Sequence, residues 1–484
     1  MKAALYDPAL GEPRPSEPSA GRKPTRRRAV VALLCALGGA ASLQGCTRAP
    51  SPFTCSATRQ CEGSGGTGTC EPTGYCSFPD PGCPSGRRYG AHGPADLSSA
   101  CTTPLVVDAS FGDGARLDGA VRDGSAGEHA AQDGAPAPWW DKTYRYRKTV
   151  YVARGVSKST LMDFPVLVAL PADPDLKAHL ATPAGLRFVG PDQRTVYAHE
   201  VERWVKEQGT LFAWVKVPRL EAGVMNTFYL YFGYTGSGPP PGPPPPPEVW
   251  PDYRAVLHLS DAAASVLTNS APGGYTALGR GPLTELPGPA ASAAGFDAAA
   301  DTVELTGVQS VLASATSFTL SFWLYADYPS DEAVRTAGEP LVLEQWESLR
   351  AGRLIRRTGD SPGLLIFQVD LRTSTRTEFV QLPVERQRWT HLALTFDGTN
   401  LYGYANAVAA YSASLPGARL SAGVTGLLTL GMTATGGASF NGRIDELRLG
   451  PGAKSAQWIA AERAVVASPQ PAVTVSPLEE RPPL

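Results

Sequence analysis

The chain reads as an all-β protein: two β-sandwich domains, the C-terminal one a jelly roll, preceded by a small disulfide-rich module. Three features lead there. Short β-branched and aromatic runs, many bounded by Pro or Gly clusters, follow one another from Tyr146 to Leu449 with hardly any helical periodicity between them. Six cysteines crowd into Cys55–Cys101 and none comes later. Finally, 51 Gly and 45 Pro against four Met suit turn-rich sheet with flexible joints. A net charge of −2 with 18% charged residues offers no polyanion-binding surface, so no nucleic-acid partner is expected.

The leader comes first. Arg26, Arg27 and Arg28 abut an apolar run from Ala29 to Leu43 that ends in Leu43-Gln44-Gly45-Cys46. The basic flank suits the anionic inner leaflet while the run enters the bilayer. At 15 residues the run falls short of the roughly 20 a spanning helix needs. Its last four residues resemble a bacterial lipobox, which implies a signal peptide over 1–45, lipidation of Cys46 and a mature chain tethered by acyl chains. Thr47, in place of an Asp, resembles the pattern sorted to the outer membrane. The expected localisation is exported and lipid-anchored to the cell envelope, at the outer membrane.

Residues 46–101 form the cysteine-rich module. Cys35 lies in the discarded leader and Cys46 carries lipid, which leaves Cys55, Cys61, Cys70, Cys76, Cys83 and Cys101. An even, dense set in an exported segment too short for a full core predicts three disulfides, with the pairing open. No Cys-x-x-Cys occurs, which excludes the usual zinc spacings. Residues 102–138 are Ala, Gly and Asp with repeated Asp-Gly pairs, a disordered linker.

The first sandwich covers 139–236, opened by Trp139 and Trp140. Its expected strands are Tyr146–Val152, Phe164–Leu170, Leu186–Val189, Val196–Trp204, Leu211–Val217 and Phe228–Phe232. Residues 237–248 include the proline run Pro239–Pro247, expected to form a stiff polyproline rod that holds the next domain away. The jelly roll spans 249–475. Its strands begin at Ala255–Leu259 and include Phe318–Tyr325, where large apolar and small polar residues alternate to give one buried and one wetter face. A helix from Ser455 to Arg463 packs Trp458 and Ile459 on the sheet. Residues 476–484 read as a disordered tail.

Four blocks, Phe318-Thr-Leu-Ser-Phe-Trp-Leu, Trp389-Thr-His-Leu-Ala-Leu-Thr-Phe-Asp-Gly, Leu401-Tyr-Gly-Tyr-Ala-Asn-Ala and Phe440-Asn-Gly-Arg-Ile-Asp-Glu-Leu-Arg-Leu, resemble laminin-G-like, concanavalin A-like jelly-roll modules. The segment before them is similar to a bacterial domain of unknown function that commonly precedes such modules. Its carriers are Trp140-x-x-x-Tyr144-Arg-Tyr-Arg-Lys-Thr-Val, Phe164-Pro-Val-Leu-Val and Tyr229-Leu-Tyr-Phe-Gly233. The resemblance implies binding to a glycan or to an extracellular or envelope protein, without catalysis and without a cofactor. In some relatives a structural calcium ion sits between an early loop and the closing strand. The matching positions here are Asn269 and Asp445, with Asp261 available to restore the charge that Asn269 lacks. Asn406-Ala407 replaces the relatives' Asn-Gly, which implies another turn type or strain.

Several tempting motifs fail. Gly359-Asp-Ser-Pro-Gly363 matches the serine-hydrolase elbow, yet Pro362 has no N–H to serve as oxyanion donor, so a β-turn is expected. Glu200 and Glu202 share a strand face but read as a solvated edge. Asp445 and Glu446 are neighbours and point to opposite faces by strand alternation. His258 and His391 read as hydrogen-bonded structural histidines, and Trp139 and Trp140 as staples for the first sandwich. The expected function is an envelope lipoprotein whose jelly roll binds ligand through loops at one rim. The alternative is a secreted glycoside-hydrolase-like enzyme on the same fold.

Overall fold

The computed structural model describes residues 138–482, apart from 241, 243–244, 274, 298–300, 308, 346–347, 422–426, 432–438 and 467–471, together with 61–63, 66–70, 76–80, 83 and 87–90. The leader, Cys46, Cys55, Cys101 and the linker up to 137 lie outside these residues. In the cysteine-rich module, Thr69–Cys70, Cys76–Pro79 and Arg87–Tyr89 form a small antiparallel sheet. Cys61 bonds to Cys76 with the Cα atoms 5.4 Å apart. Cys83 is also disulfide-bonded, and both Cys61 and Cys83 are buried, so the oxidised module has a small core.

The β-rich chain alternates inward and outward residues, and that alternation builds the first sandwich. One sheet runs in the order His199–Val205, Thr210–Leu220, Leu161–Leu170. The other is centred on Tyr144–Val152 and Asn226–Tyr234. Phe228, Leu230 and Phe232 face the core, whereas Tyr229 and Tyr231 face outward, under Trp139 and Trp140. Residues 476–482 of the expected disordered tail are part of the fold. Val473–Val475 and Glu479–Glu480 both pair with Tyr144–Val152, and Arg145 and Arg147 meet Glu480 and Glu479. Open backbone groups along that strand are satisfied by returning chain, which also covers an exposed sheet edge.

The jelly roll stacks two eight-stranded sheets. The front sheet runs Thr284–Pro287, Ser292–Asp297, Asn441–Pro451, Phe318–Ala326, Trp389–Phe396, Asn400–Ala405, Val408–Ser414, with Ala255–Leu257 also on Asn441–Pro451. Phe318, Leu320, Phe322 and Leu324 point from it toward Phe367, Val369, Val380 and Leu382 of the back sheet. The strand of 318–326 has no wet side. Its polar face is buried too, with Ser321 at 0% exposure, because the first sandwich and the helix Ala456–Val466 lie over it.

Nor does the proline segment keep the domains apart. Pro245 takes the polyproline conformation, but just beyond it Val249, Trp250 and Tyr253 are buried in a cluster shared with Phe164, Trp214, Trp458 and Ala393. Apolar burial between the sandwiches outweighs the stiffness of a short proline run, so the rod is a connector and the two domains form one unit.

Two-residue connection of Asn400–Ala405 to Val408–Ser414 places Asn406 at φ 51° and Ala407 at φ 66°. This is the left-handed turn that glycine normally supplies, kept with an alanine, so strain rather than another turn type is the outcome. Asn406 is tied down because its Oδ1 accepts from the His391 N–H at 3.1 Å. Ala407→Gly is expected to stabilise the protein by about 0.5–1 kcal/mol, read as a higher urea midpoint at unchanged slope.

Candidate functional site

Backbone register brings charged side chains from distant segments into the seam between the sandwiches. In the front sheet, Ser321 pairs with Arg448 and Trp323 with Asp445, so two residues of the closing strand oppose one of its neighbour. This is a β-bulge, with Glu446 at φ 52°. Ile444 and Leu447 therefore both enter the jelly-roll core, and Asp445 and Glu446 between them turn the other way. Sequence alternation, which sets those two carboxylates on opposite faces, is broken by the extra residue. Leu257 pairs with Leu447, so His258, one step on, comes beside Glu446.

From the other side, His199–Val205 presents Glu200 and Glu202. They are no solvated edge: Glu200 is 7% exposed, and the Glu202 side chain 1%. His258 Nδ1 lies 2.7 Å from Glu446 Oε1 and 3.9 Å from Glu202 Oε2, while Nε2 is 3.3 Å from Glu200 Oε2. Trp250 Nε1 and Ser270 Oγ donate to Glu200, and Trp214 Nε1 donates to Glu202. Arg448 donates to Glu446 at 2.7 Å and stacks over both Trp214 and Trp250, its guanidinium carbon 4.5 and 4.7 Å from the ring centroids. Farther along, Glu462 accepts from Ser321 and lies 3.4 Å from His391 Nε2 and 3.8 Å from Arg448. His258 and His391 are hydrogen-bonded, as the sequence suggests, but within a carboxylate cluster that it does not disclose.

Burial and mutual repulsion sort these groups. Burial, reinforced by the charges of Glu446 and Glu202, holds the Asp445 carboxyl well above the usual range. Burial also raises Glu202 to about 7, with Glu446 adding to the rise and His258 opposing it. For Glu446 burial works against the charge, but His258 and Arg448 outweigh it and keep the group below its ordinary value. Glu462 behaves alike and falls to about 2, chiefly through Arg448. His258 is held well above its usual value by Glu446, Glu200 and Glu202 in spite of burial. The cluster thus mixes proton-bearing and ionised carboxyls around an imidazolium.

The calcium expectation at Asn269 and Asp445 does not fit the residues. Asn269 Oδ1 accepts from the Val256 and Ala271 N–H groups, and its amide donates to Arg254 and Tyr275 carbonyls. Asp445 accepts from the Glu446 and Ala290 N–H groups. A Cβ at Gly288 would come 2.4 Å from Asp445 Oδ2, which leaves no room for further donors on that side. A hard cation seeking six to eight oxygens would have to displace these backbone contacts. Asp261 is likewise engaged, by the Thr268 N–H. At Gly359–Gly363 the chain forms a turn into the strand Leu364–Arg372, as expected.

Trp139 and Trp140 staple the first sandwich. Trp139 Nε1 donates to the Tyr144 carbonyl, its ring meets Tyr231 edge-on, and Arg147 lies over it. A separate open feature lies on the front sheet's outer surface: a groove of about 460 Å³ lined by Thr395, Asp397, Asn400, Tyr402, Tyr404 and Lys454, among others. Tyr402 is 36% exposed, whereas Tyr404 is buried. Sequence reading does not single out these residues, because they come from neighbouring strands and from a loop about fifty positions away.

Residues 297–460 match the family model of the concanavalin A-like lectin/glucanases superfamily, so the second domain is of that class. Among the described residues, 50% are in strands and 9% in helices, so the all-β expectation holds. No curated protein matches the chain. Among solved structures it is similar to the receptor binding domain of botulinum neurotoxin D, at 14% identity over 44% of this chain and 52% of that one, TM-score 0.34. It is also similar to the binding domain of Paraclostridial Mosquitocidal Protein 1, at 10% identity over 44% and 52%, TM-score 0.34. A third is domain 4 of an extracellular arabinanase from Geobacillus stearothermophilus in complex with arabinotriose, at 19% identity over 43% and 97%, TM-score 0.31. The chain spans about half the length of the first two.

Glu202 gives the cluster a pH signature. A carboxyl raised from 4.5 to about 7 on folding contributes stability that is complete below 4.5 and is lost as pH rises through about 7. The raised His258 acts in the same direction above 6.5. In buffer containing EDTA, Tm should fall by several degrees between about pH 5 and 8, and Glu202→Gln should flatten that fall. Differential scanning calorimetry across the range is the check.

Proposed function

We propose that this chain is a cell-envelope lipoprotein, tethered through lipid on Cys46, whose jelly-roll domain binds a glycan without catalysis. The observation that carries the reading is the open groove beside Tyr402. An exposed aromatic face at Tyr402 next to the side chains of Asn400 and Asp397 offers a stacking surface and hydrogen-bonding groups to a sugar ring. On this reading the ligand lies on the sheet surface and not at the rim loops. A glycosidase reading needs two carboxylates that a polysaccharide can reach. The carboxylates grouped around His258 are each under 10% exposed, which speaks for binding.

A glycan array on the purified full chain is expected to give saturable binding that Tyr402→Ala weakens about tenfold, a loss of roughly 1.4 kcal/mol. Unchanged affinity in that variant would remove the groove from consideration. Incubation with a polysaccharide panel should release no new reducing ends, and turnover would favour the enzyme alternative. Separately, Cys46→Ala is expected to move the protein from the membrane pellet to the soluble fraction; continued co-sedimentation would count against the lipid tether.

A further inference from the structure

Three segments far apart in the chain each offer one metal-ligand atom to the same point in the seam. Glu202 comes from the first sandwich, His258 from the entrance to the jelly roll and Glu446 from its closing strand, with ligand atoms all within 4.8 Å of one another. Donors around a tetrahedral zinc ion lie about 3.3 Å apart, given bonds of roughly 2.0–2.2 Å. The 2.7 and 3.9 Å separations of His258 Nδ1 from its two carboxylate neighbours straddle that value. We propose that Glu202, His258 and Glu446 form a structural site for a divalent transition metal of zinc type that ties the first sandwich to the jelly roll.

Independent observations support the assignment. Glu202 Oε2, the oxygen nearer His258, accepts from Trp214, while Oε1 is buried with no well-formed hydrogen bond on a side chain 1% exposed and has only the Ser260 hydroxyl in its neighbourhood. Glu200 stands behind His258 at Nε2, itself oriented by Trp250 and Ser270. A carboxylate behind the second ring nitrogen is how metal-bound imidazoles are commonly fixed in tautomer and direction. Arg448 occupies Glu446 Oε2 and leaves Oε1 to the shared space.

Donor chemistry selects among ions. One imidazole nitrogen with carboxylate oxygens suits zinc, and three protein donors are too few for calcium. Binding exchanges the Nδ1 proton of His258 for the ion and releases that proton to solvent, so affinity rises with pH.

The test uses the purified, oxidised full chain, stripped with EDTA and dialysed. With zinc chloride alone, calorimetry and elemental analysis should give one ion per chain and a Tm raised by several degrees. Cobalt chloride should give visible bands stronger than those of the aqueous ion, without near-ultraviolet thiolate charge transfer. Glu202→Gln, which keeps an acceptor for Trp214, should bind zinc at least about tenfold more weakly while its circular dichroism stays native. A wild-type chain that takes up no zinc, thiolate bands with cobalt, or unchanged affinity in a folded Glu202→Gln variant would each overturn the proposal. Should the variant fail to fold, the wild-type cobalt spectrum decides alone.

Discussion

Everything in the two-sandwich body is arranged around the burial of charge in its seam. Removing carboxylates from water is expensive, and a buried pair is no better for stability than a well-packed apolar one. The arrangement becomes binding once formed, because taking away one partner strands the others at about 3–5 kcal/mol. Glu200 finds its donors at Trp250, Ser270 and His258, all on the far side of the proline segment. That set of contacts is met in one relative placement of the domains. Apolar burial around Trp214, Trp250 and Trp458 supplies the attraction, and the charges supply the register.

Local backbone geometry follows from the same constraint. A regular closing strand would send Asp445 or Glu446 into the hydrophobic interior beside Ile444 and Leu447. One inserted residue and a left-handed Glu446 prevent this, at a strain of roughly 1–2 kcal/mol. Leu259, next to His258, is left-handed too, so both residues that bring the imidazole and its carboxylate together sit beside or at a strained position. The neighbouring segment Ser292–Asp297 is Ser-Ala-Ala-Gly-Phe-Asp, with Gly288 just before it. Small residues there let that chain lie close to the closing strand, where a side chain at Gly288 would meet Asp445.

The limits of the sequence reading have the same origin. Strands with large β-branched or aromatic residues, such as Phe318–Ala326 and Trp389–Phe396, announce themselves through period and composition. Ser292–Asp297 and the exposed edge strand Val408–Ser414 do not, because their residues are chosen for close approach or for solvent. The helix packing Trp458 and Ile459 is legible from its apolar pair. The cluster is not. Charged residues on a strand face look solvated unless a partner surface is known, and here that surface is the other domain. The polar side of 318–326 is misread for that reason, and so are Glu200 and Glu202. A tail of Pro and Glu looks disordered, yet Glu479 and Glu480 have Arg147 and Arg145 waiting on the strand they join.

Chain return gives this architecture its last step. The first sandwich is not complete at Tyr234: the strand Tyr144–Val152 gains Val473–Val475 and Glu479–Glu480 only after the whole jelly roll has been made. The helix Ala456–Val466 precedes that return and wedges Trp458 against Phe164 while placing Glu462 beneath Arg448 and Ser321. Chain order therefore threads out through Trp250, around the jelly roll and back through Glu462, so both crossings between domains carry a member of the buried network. A body closed this way hides its grouped carboxylates on every side and leaves Tyr402 exposed next to Tyr404, which packs into the seam. Sealing reactive-looking groups inside and exposing an aromatic groove outside are two results of one topology.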